Sequence, residues 1–337
     1  MRPEDLYYIR HSFRRQANAG SKPSTDIEAV LASIGARGLG LPGAYFARDM
    51  AVHLRDIINS AIVKATMPRN KAILIQYPAQ YDIEALARCA RKRGNRLIVV
   101  VHDINALRGR PEADHADVLA EADAILAHTP AMKAYLEELY PQARVIIPGM
   151  FDYIQANVPQ GQTTRSHSVV FAGNLGKSGF LSNLEFSSGL RLVLFGVGAP
   201  ESLIEKAFVD YRGSCMPEEI PARICDEGFG LVWDGNSTSG CTGPMGEYLR
   251  YNAPYKLSSY IAAGIPVVIW SEMGIADFVT RNGLGIAVDS LDELEATLNG
   301  ISNEEYESMK RNVRKVQEMV SRGDFARSAI LEALSLL

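Results

Sequence analysis

Residues 229–270 read FGLVWDGNSTSGCTGPMGEYLRYNAPYKLSSYIAAGIPVVIW. The apolar run 229–233, ended by Asp234-Gly235, predicts a buried strand and a turn. A loop rich in Gly, Ser and Thr follows over 236–246. A small-residue, apolar helix over 255–263 comes next, closed by Gly264. Pro266 stands two residues beyond, ahead of a second apolar strand at 267–270. Glycine just past the last helical turn, then proline, is a helix stop. The stretch is therefore a parallel βαβ unit with a long polar loop at the C-terminal end of its first strand. Open α/β sheets bind ligands at that end.

The same alternation extends in both directions. Upstream, Tyr7-Tyr8-Ile9-Arg10 predicts a first strand, and a polar run over 11–24 leads to a helix capped by Ser24 or Thr25. That strand, loop and helix start form either an anion-binding corner or an ordinary βα connection. Strands are predicted at 72–76, 96–103, 124–129 and 145–150. The second of these four, RLIVVVHD, has an unbroken apolar run at 97–101, as a central parallel strand requires, and ends in His102-Asp103. A polar stretch over 151–166 reads as a linker. A second series has strands at 168–172, 190–198, 208–212 and 286–288, then two tail helices over 303–320 and 325–336. The expected fold is α/β, two doubly wound domains facing each other across a cleft. Their expected bounds are 1–152 and 165–318, with 319–337 packing back on the first.

Bulk properties narrow the function. At 337 residues, two domains are expected, and 47% apolar residues suffice for two cores. Residues 1–150 carry 20 Lys/Arg against 16 Asp/Glu (+4), and the remainder 15 against 23 (−8), giving the net −4. No aromatic residues interleave with the basic ones, so nucleic acid is not an expected partner. The longest aliphatic run, 97–101, is far short of a membrane span, and the first residues show no signal-peptide pattern, so a cytoplasmic protein is expected. The four cysteines lack metal-ligand spacing and read as free thiols; no metal or other cofactor is expected. No GxGxxG follows a strand, which argues against a dehydrogenase.

Polar residues at predicted strand ends are the candidate site. In the second half they are Gly173-Asn174 and Lys177, Tyr211-Arg212, the 237–240 loop with Ser237 and Thr238, and Lys256. Backbone N–H groups and cations of this kind surround a bound diphosphate. Each also has a plainer reading: Lys177 as a solvated loop lysine, Lys256 as a snorkelling helix residue, and Glu247, a second candidate acid in the polar loop, as a solvated carboxylate. In the first half, His102 and Asp103 are candidates for general base, or for a structural hydrogen bond.

YKLSSYIAAGIPVV, with GFGLVWDG before it and GLGIAV after it, resembles the nucleotide-sugar half of a GT-B glycosyltransferase. More narrowly, the chain resembles the bacterial glucosyltransferases that extend O-linked GlcNAc on serine-rich adhesins, and the related galactofuranosyltransferases. The resemblance covers nearly the whole chain and implies two Rossmann-like domains. It implies that Lys256 and Tyr211 contact UDP, and that Lys177, after Gly173-Asn174, meets the diphosphate. Relatives often carry an arginine there, so a bidentate fork is replaced by a point charge. It further implies that Asn18-Ala19-Gly20-Ser21 is a donor-phosphate loop and His102-Asp103 an HD pair on the acceptor side. Many retaining GT-B enzymes carry two glutamates where this chain has Tyr251 and Ser259, so inversion is expected. The implied partners are a UDP-sugar donor and a glycan acceptor that is protein-linked, polysaccharide or lipid-linked. A homo-oligomer and a peripheral contact with the inner membrane face are compatible with the sequence. The alternatives are a UDP-GlcNAc 2-epimerase-like enzyme and a non-catalytic GT-B subunit chaperoning a partner.

Overall fold

The computed structural model describes residues 1–11, 20–41, 49–78, 82–111, 114, 116–162, 164–187 and 189–337, the side chains of 49–53 aside. The chain divides into two compact units. One contains the N-terminal strand, Gly20–Asp152 and Gly323–Leu337; the other contains Tyr153–Arg322.

The first unit is built on a parallel sheet of β1 (Leu6–Ile9), β2 (Arg37–Leu39), β3 (Ala72–Tyr77), β4 (Arg96–Val101), β5 (Ala124–Leu126) and β6 (Arg144–Ile146). Its order is β2-β1-β3-β4-β5-β6. The chain leaves β1 on one side and returns as β3 on the other, so the topological switch point lies between β1 and β3. The central strands β3 and β4 are buried along almost their whole length, which accounts for their unbroken apolar sequences.

The second unit repeats the plan with β7 (Ser168–Ala172), β8 (Arg191–Phe195), β9 (Val209–Tyr211), β10 (Phe229–Val232), β11 (Val267–Trp270) and β12 (Gly285–Val288). All six are parallel, in the order β12-β11-β10-β7-β8-β9. Here the switch point lies between β7 and β10. In both sheets that crevice is where a ligand is expected.

Several local expectations are corrected. The first helix is Lys22–Ser33, so Ser24 and Thr25 lie inside it rather than capping it. Pro23, preset to helical φ, starts the first turn one step earlier than the polar residues suggest. The strand expected over 145–150 ends at Ile146; Pro148 follows, and Gly149 takes φ +108°. The polar loop 236–246 contains the start of a short helix, Gly243–Tyr248, with Pro244 in its first turn. The stretch read as a linker is anchored: Tyr153 is buried and donates its hydroxyl to Pro217 O at 2.5 Å.

The last helix, Asp324–Ser335, follows Gly323, which takes φ +79°. It packs within the first unit against β5, β6 and the helix Lys22–Ser33. Its first turn is held by Asp152, whose carboxylate accepts from Phe325 N (3.3 Å) and Ala326 N (2.7 Å). Burial raises the Asp152 carboxyl to about 7 even though both N–H groups favour its ionised form. A raised folded-state value means stability present below the unfolded carboxyl's range and lost as pH climbs through about 7. Asp152→Asn, which keeps one acceptor oxygen, should therefore gain stability relative to the natural chain as pH rises. Urea unfolding of both at acidic and mildly alkaline pH measures this, and a pH-independent difference would refute it.

Candidate functional site

In the second unit the site grows from the ends of β7, β8 and β10. Gly173 follows β7, and its N–H is already committed to Phe195 O at 2.9 Å. Its contribution is space. A Cβ on Gly196, at φ +142°, would lie 1.8 Å from Gly173 O, so the loops after β7 and β8 touch backbone to backbone. Asn174 and Lys177 are exposed, Lys177 at the end of the 3-10 turn Leu175–Lys177. Tyr211, on edge strand β9, is exposed and donates its hydroxyl to Gly196 O at 3.0 Å.

Lys256 occupies the switch point itself. It lies in the first turn of the helix Tyr255–Ala262, and its ammonium sits 4.3 Å from the Phe171 ring centroid on β7. It donates to Trp233 O, just past β10, at 3.2 Å. That is its one hydrogen bond among the described residues, so two N–H groups are left over. Burial pushes the ammonium's pKa down, and Asp234 and Cys241 counter it. Burial also drives the Cys241 thiol up to about 12, so it remains protonated near neutrality. Cys241 and the other three cysteines are free thiols.

Ser237 and Thr238 are used differently. Ser237 O accepts the Trp233 indole N–H (2.9 Å), and Thr238 O accepts from Leu291 N (2.7 Å) and Ser290 Oγ (3.1 Å). This pins the loop after β10 to the turn after β12. Glu247 pairs with Arg250 at 2.8 Å, and Arg250 lies 4.6 Å over the Trp270 ring.

In the first unit, His102 stands at the tip of β4. Gln76 Nε2 donates to Ser24 O at 3.2 Å, which turns Gln76 Oε1 toward His102 Nε2 at 2.7 Å. This network assigns the proton to Nε2 and leaves Nδ1 as an acceptor. Nδ1 is buried and has no hydrogen-bond partner among the described residues. Phe151 stacks on His102 with a centroid separation of 5.8 Å and meets His128 edge-on at 4.5 Å. Burial, then the neighbouring His128 and His11, drive His102 down to about 3, so its ring is neutral at working pH. Asp103 turns elsewhere, pairing with Arg108 at 2.9 Å. Gly20 and Ser21 precede the helix Lys22–Ser33, whose Ser24 hydroxyl lies 3.4 Å from His102 Nε2. The helix start and the His102 tip are thus brought together; Ala19 lies outside the described residues. Among the described residues no three His, Cys, Asp or Glu side chains converge as metal ligands, and no helix is long and apolar enough to cross a membrane.

Residues 6–150 match a family model described as glucosyltransferase 3-like, N-terminal domain, and residues 169–333 the corresponding C-terminal domain. A beta-1,6-galactofuranosyltransferase of Escherichia coli (strain K12) is 31% identical over 245 residues, 71% of each chain. The chain belongs to the glucosyltransferase 3-like family. It is a glycosyltransferase of the GT-B type, and hexose transfer is its activity. Glucosyltransferase 3 of Streptococcus gordonii is 27% identical over 244 residues, again 71% of each chain. Two solved structures share the fold. The N-terminal domain of a Candida albicans trehalose-6-phosphate phosphatase superposes at TM-score 0.60, 11% identical, covering 98% of this chain and 96% of that one. A UDP-GlcNAc 2-epimerase from Neisseria meningitidis does so at 0.52, 13% identical, over 98% and 99%.

Sequence reasoning passed over Phe171, Gln76 and Asp234. Asp234 carried a signal, an acid directly after an apolar strand. Phe171 and Gln76 carried none, because both lie inside strands and act through what folds onto them.

Proposed function

We propose that this glucosyltransferase 3-like enzyme moves glucose or galactofuranose from a UDP-sugar to a glycan acceptor in bacterial surface-glycan or glycoprotein synthesis. The reaction is inverting and metal-independent, and it takes place in the cytoplasm or at the inner membrane face. The acceptor is a protein-linked, polysaccharide or lipid-linked glycan. The names of the relatives support the two sugars.

One observation carries the donor half: the Lys256 ammonium at the switch point of the second sheet, partly desolvated and short of acceptors. A diphosphate supplies both the charge and the oxygens it lacks. Gly173 and Gly196 keep the floor beside it open, Asn174 and Lys177 line the rim, and Tyr211 and the Ser237-Thr238 loop hold the nucleotide. In the first unit, Gly20 and Ser21 present a helix N-terminus to phosphate, and His102 stands at the strand tip on the acceptor side. Asp103, in its ion pair, orients Arg108.

Thermal unfolding with UDP, UDP-glucose, UDP-galactofuranose, UDP-GlcNAc, GDP-mannose and NAD tests the donor. A ligand at 100 times its dissociation constant stabilises by about 2.7 kcal/mol, which raises the melting temperature by several degrees. UDP compounds should raise it while GDP-mannose and NAD do not. A chain indifferent to every uridine nucleotide would end this reading. Proton NMR of the first product formed then reports whether the anomeric centre has inverted.

A further inference from the structure

The helix Asp49–Thr66 of the first unit inverts the usual pattern of a helix packed on a sheet. At about 3.6 residues per turn, Leu54, Ile57, Ile58, Ala61 and Ala65 share one face, and that face is exposed to solvent. Leu54 is 59%, Ile57 56% and Ile58 45% exposed. The opposite face, Asp56, Asn59, Ser60 and Val63, is buried. Elsewhere in the described chain no two exposed large apolar side chains lie within four residues of each other. Such residues scattered singly need no explanation, whereas a contiguous stripe marks an interaction surface.

Hydrogen bonding holds the helix in this rotation. Asn59 Oδ1 accepts Leu41 N, two residues past β2, at 2.7 Å, and its Nδ2 donates to Arg10 O, just past β1, at 3.2 Å. Gly40, at φ +88°, leaves room for that amide: a Cβ there would lie 2.1 Å from Asn59 Oδ1. Rolling the helix to hide its aliphatic face would break both bonds. The stripe is therefore a fixed feature of the fold.

Charge decides what covers it. The charged side chains from 54 to 66 are Arg55, Asp56 and Lys64. Asp56 is buried, and helical spacing sets Arg55 and Lys64 on opposite flanks of the stripe. Lys64 reaches Asp82 at 2.9 Å in a pair that is 37% and 55% exposed, for which water and other anions compete. Residues 1–150 carry +4 and the rest −8, so the stripe lies on the basic half. Two copies pairing through it would bring like charges together. An aliphatic face flanked by cations is the pattern of a helix lying in the plane of an anionic bilayer surface.

We propose that this face docks the first unit on an anionic lipid surface. Leu54, Ile57 and Ile58 enter the headgroup layer, while Arg55 and Lys64 meet lipid phosphates. This rests on the part of the reading above that puts the work at an inner membrane face, and it names the surface that would do so.

Co-sedimentation with vesicles tests it, one set made of equal parts phosphatidylglycerol and phosphatidylcholine, the other of phosphatidylcholine alone. The full chain should sediment with the first, several-fold less with the second, and should be released by salt. The double variant Ile57→Ser, Ile58→Ser should bind the anionic vesicles about 10- to 100-fold more weakly and melt with the natural chain, since both side chains are exposed. Should it melt early instead, Leu54→Ser decides by the same measurement, with a loss of about tenfold. No sedimentation with anionic vesicles overturns the proposal, as does equal binding to both compositions or undiminished binding of the variants. So does light scattering that finds an oligomer which Ile57→Ser, Ile58→Ser dissociates, because a second copy would then cover the face. Melting with UDP is followed in parallel. A chain that sediments but is stabilised by no uridine nucleotide keeps the docking surface and loses the UDP-donor reading; one that UDP stabilises but that ignores vesicles does the opposite.

Discussion

Lys256→Met weakens UDP binding by about 10- to 100-fold while leaving the fold in place. The magnitude follows from hydrogen bonds to charged groups, worth about 1.5–3 kcal/mol each, at about 1.4 kcal/mol per tenfold in affinity. Methionine keeps an apolar stem on the Phe171 ring, so packing is retained and the charge alone is lost. Trp233 is fully buried, so the loss of the donor to its O costs about 1–3 kcal/mol of stability, separate from the change in UDP affinity. Calorimetric titration with UDP measures the effect, and the melting temperature without nucleotide shows whether the fold has been disturbed. Undiminished affinity would move the diphosphate away from the β7/β10 switch point. Lys256→Arg makes a second comparison. The charge survives and a guanidinium can also stack on the Phe171 ring, but its longer, wider head does not reproduce the compact ammonium's position, so its binding should be intermediate.

Gly230→Ala destabilises the second unit more than its single added methyl suggests. Gly230 lies in β10, and a Cβ there would fall 2.3 Å from the Tyr260 ring. The ring cannot swing aside without cost, because its hydroxyl accepts Ala172 N at 2.9 Å. Overpacking costs about 1–3 kcal/mol, and a buried N–H left unpaired about as much again. At about 2–4 °C per kcal/mol for a unit of this size, the melting temperature should fall by about 5–20 °C. Tyr260 belongs to the helix that carries Lys256, so UDP affinity should fall as well. The double variant Gly230→Ala, Tyr260→Ala removes the ring contacts and leaves only a Cβ–Cβ approach of 2.8 Å, so its loss should be smaller than the sum of its parts. A single variant that melts with the natural chain would mean that the helix yields freely.

How much of this was legible in the sequence depended on whether a residue's role was local. The run 97–101 is apolar because β4 is covered on both faces, and Gly264-Pro266 ends a helix by backbone chemistry alone, so both read directly. The start of the first helix did not, because Pro23 competes with three good capping residues around it. His102 and Asp103 are adjacent in sequence but diverge in space, one to Gln76 and the other to Arg108. The surroundings of Lys256 come from β7 and β10, and no spacing rule links a lysine to an aromatic ring so far away in the chain. Glu28 is the extreme case. In sequence it is one acid on a helix, and only the fold brings its carboxylate onto the N–H of His11.

The chain has two tryptophans, Trp233 and Trp270, and both stand at the C-terminal ends of neighbouring strands, β10 and β11. One indole is locked to Ser237 O, and the other lies under the Arg250 guanidinium. The molecule therefore has a built-in optical reporter on the proposed donor edge. Emission excited at the red edge of the indole band comes from the second unit alone, so nucleotide titrations need no label. A melt followed by that emission tracks one Rossmann-like unit, while far-ultraviolet dichroism tracks both, and the gap between the two curves measures how independently the halves unfold.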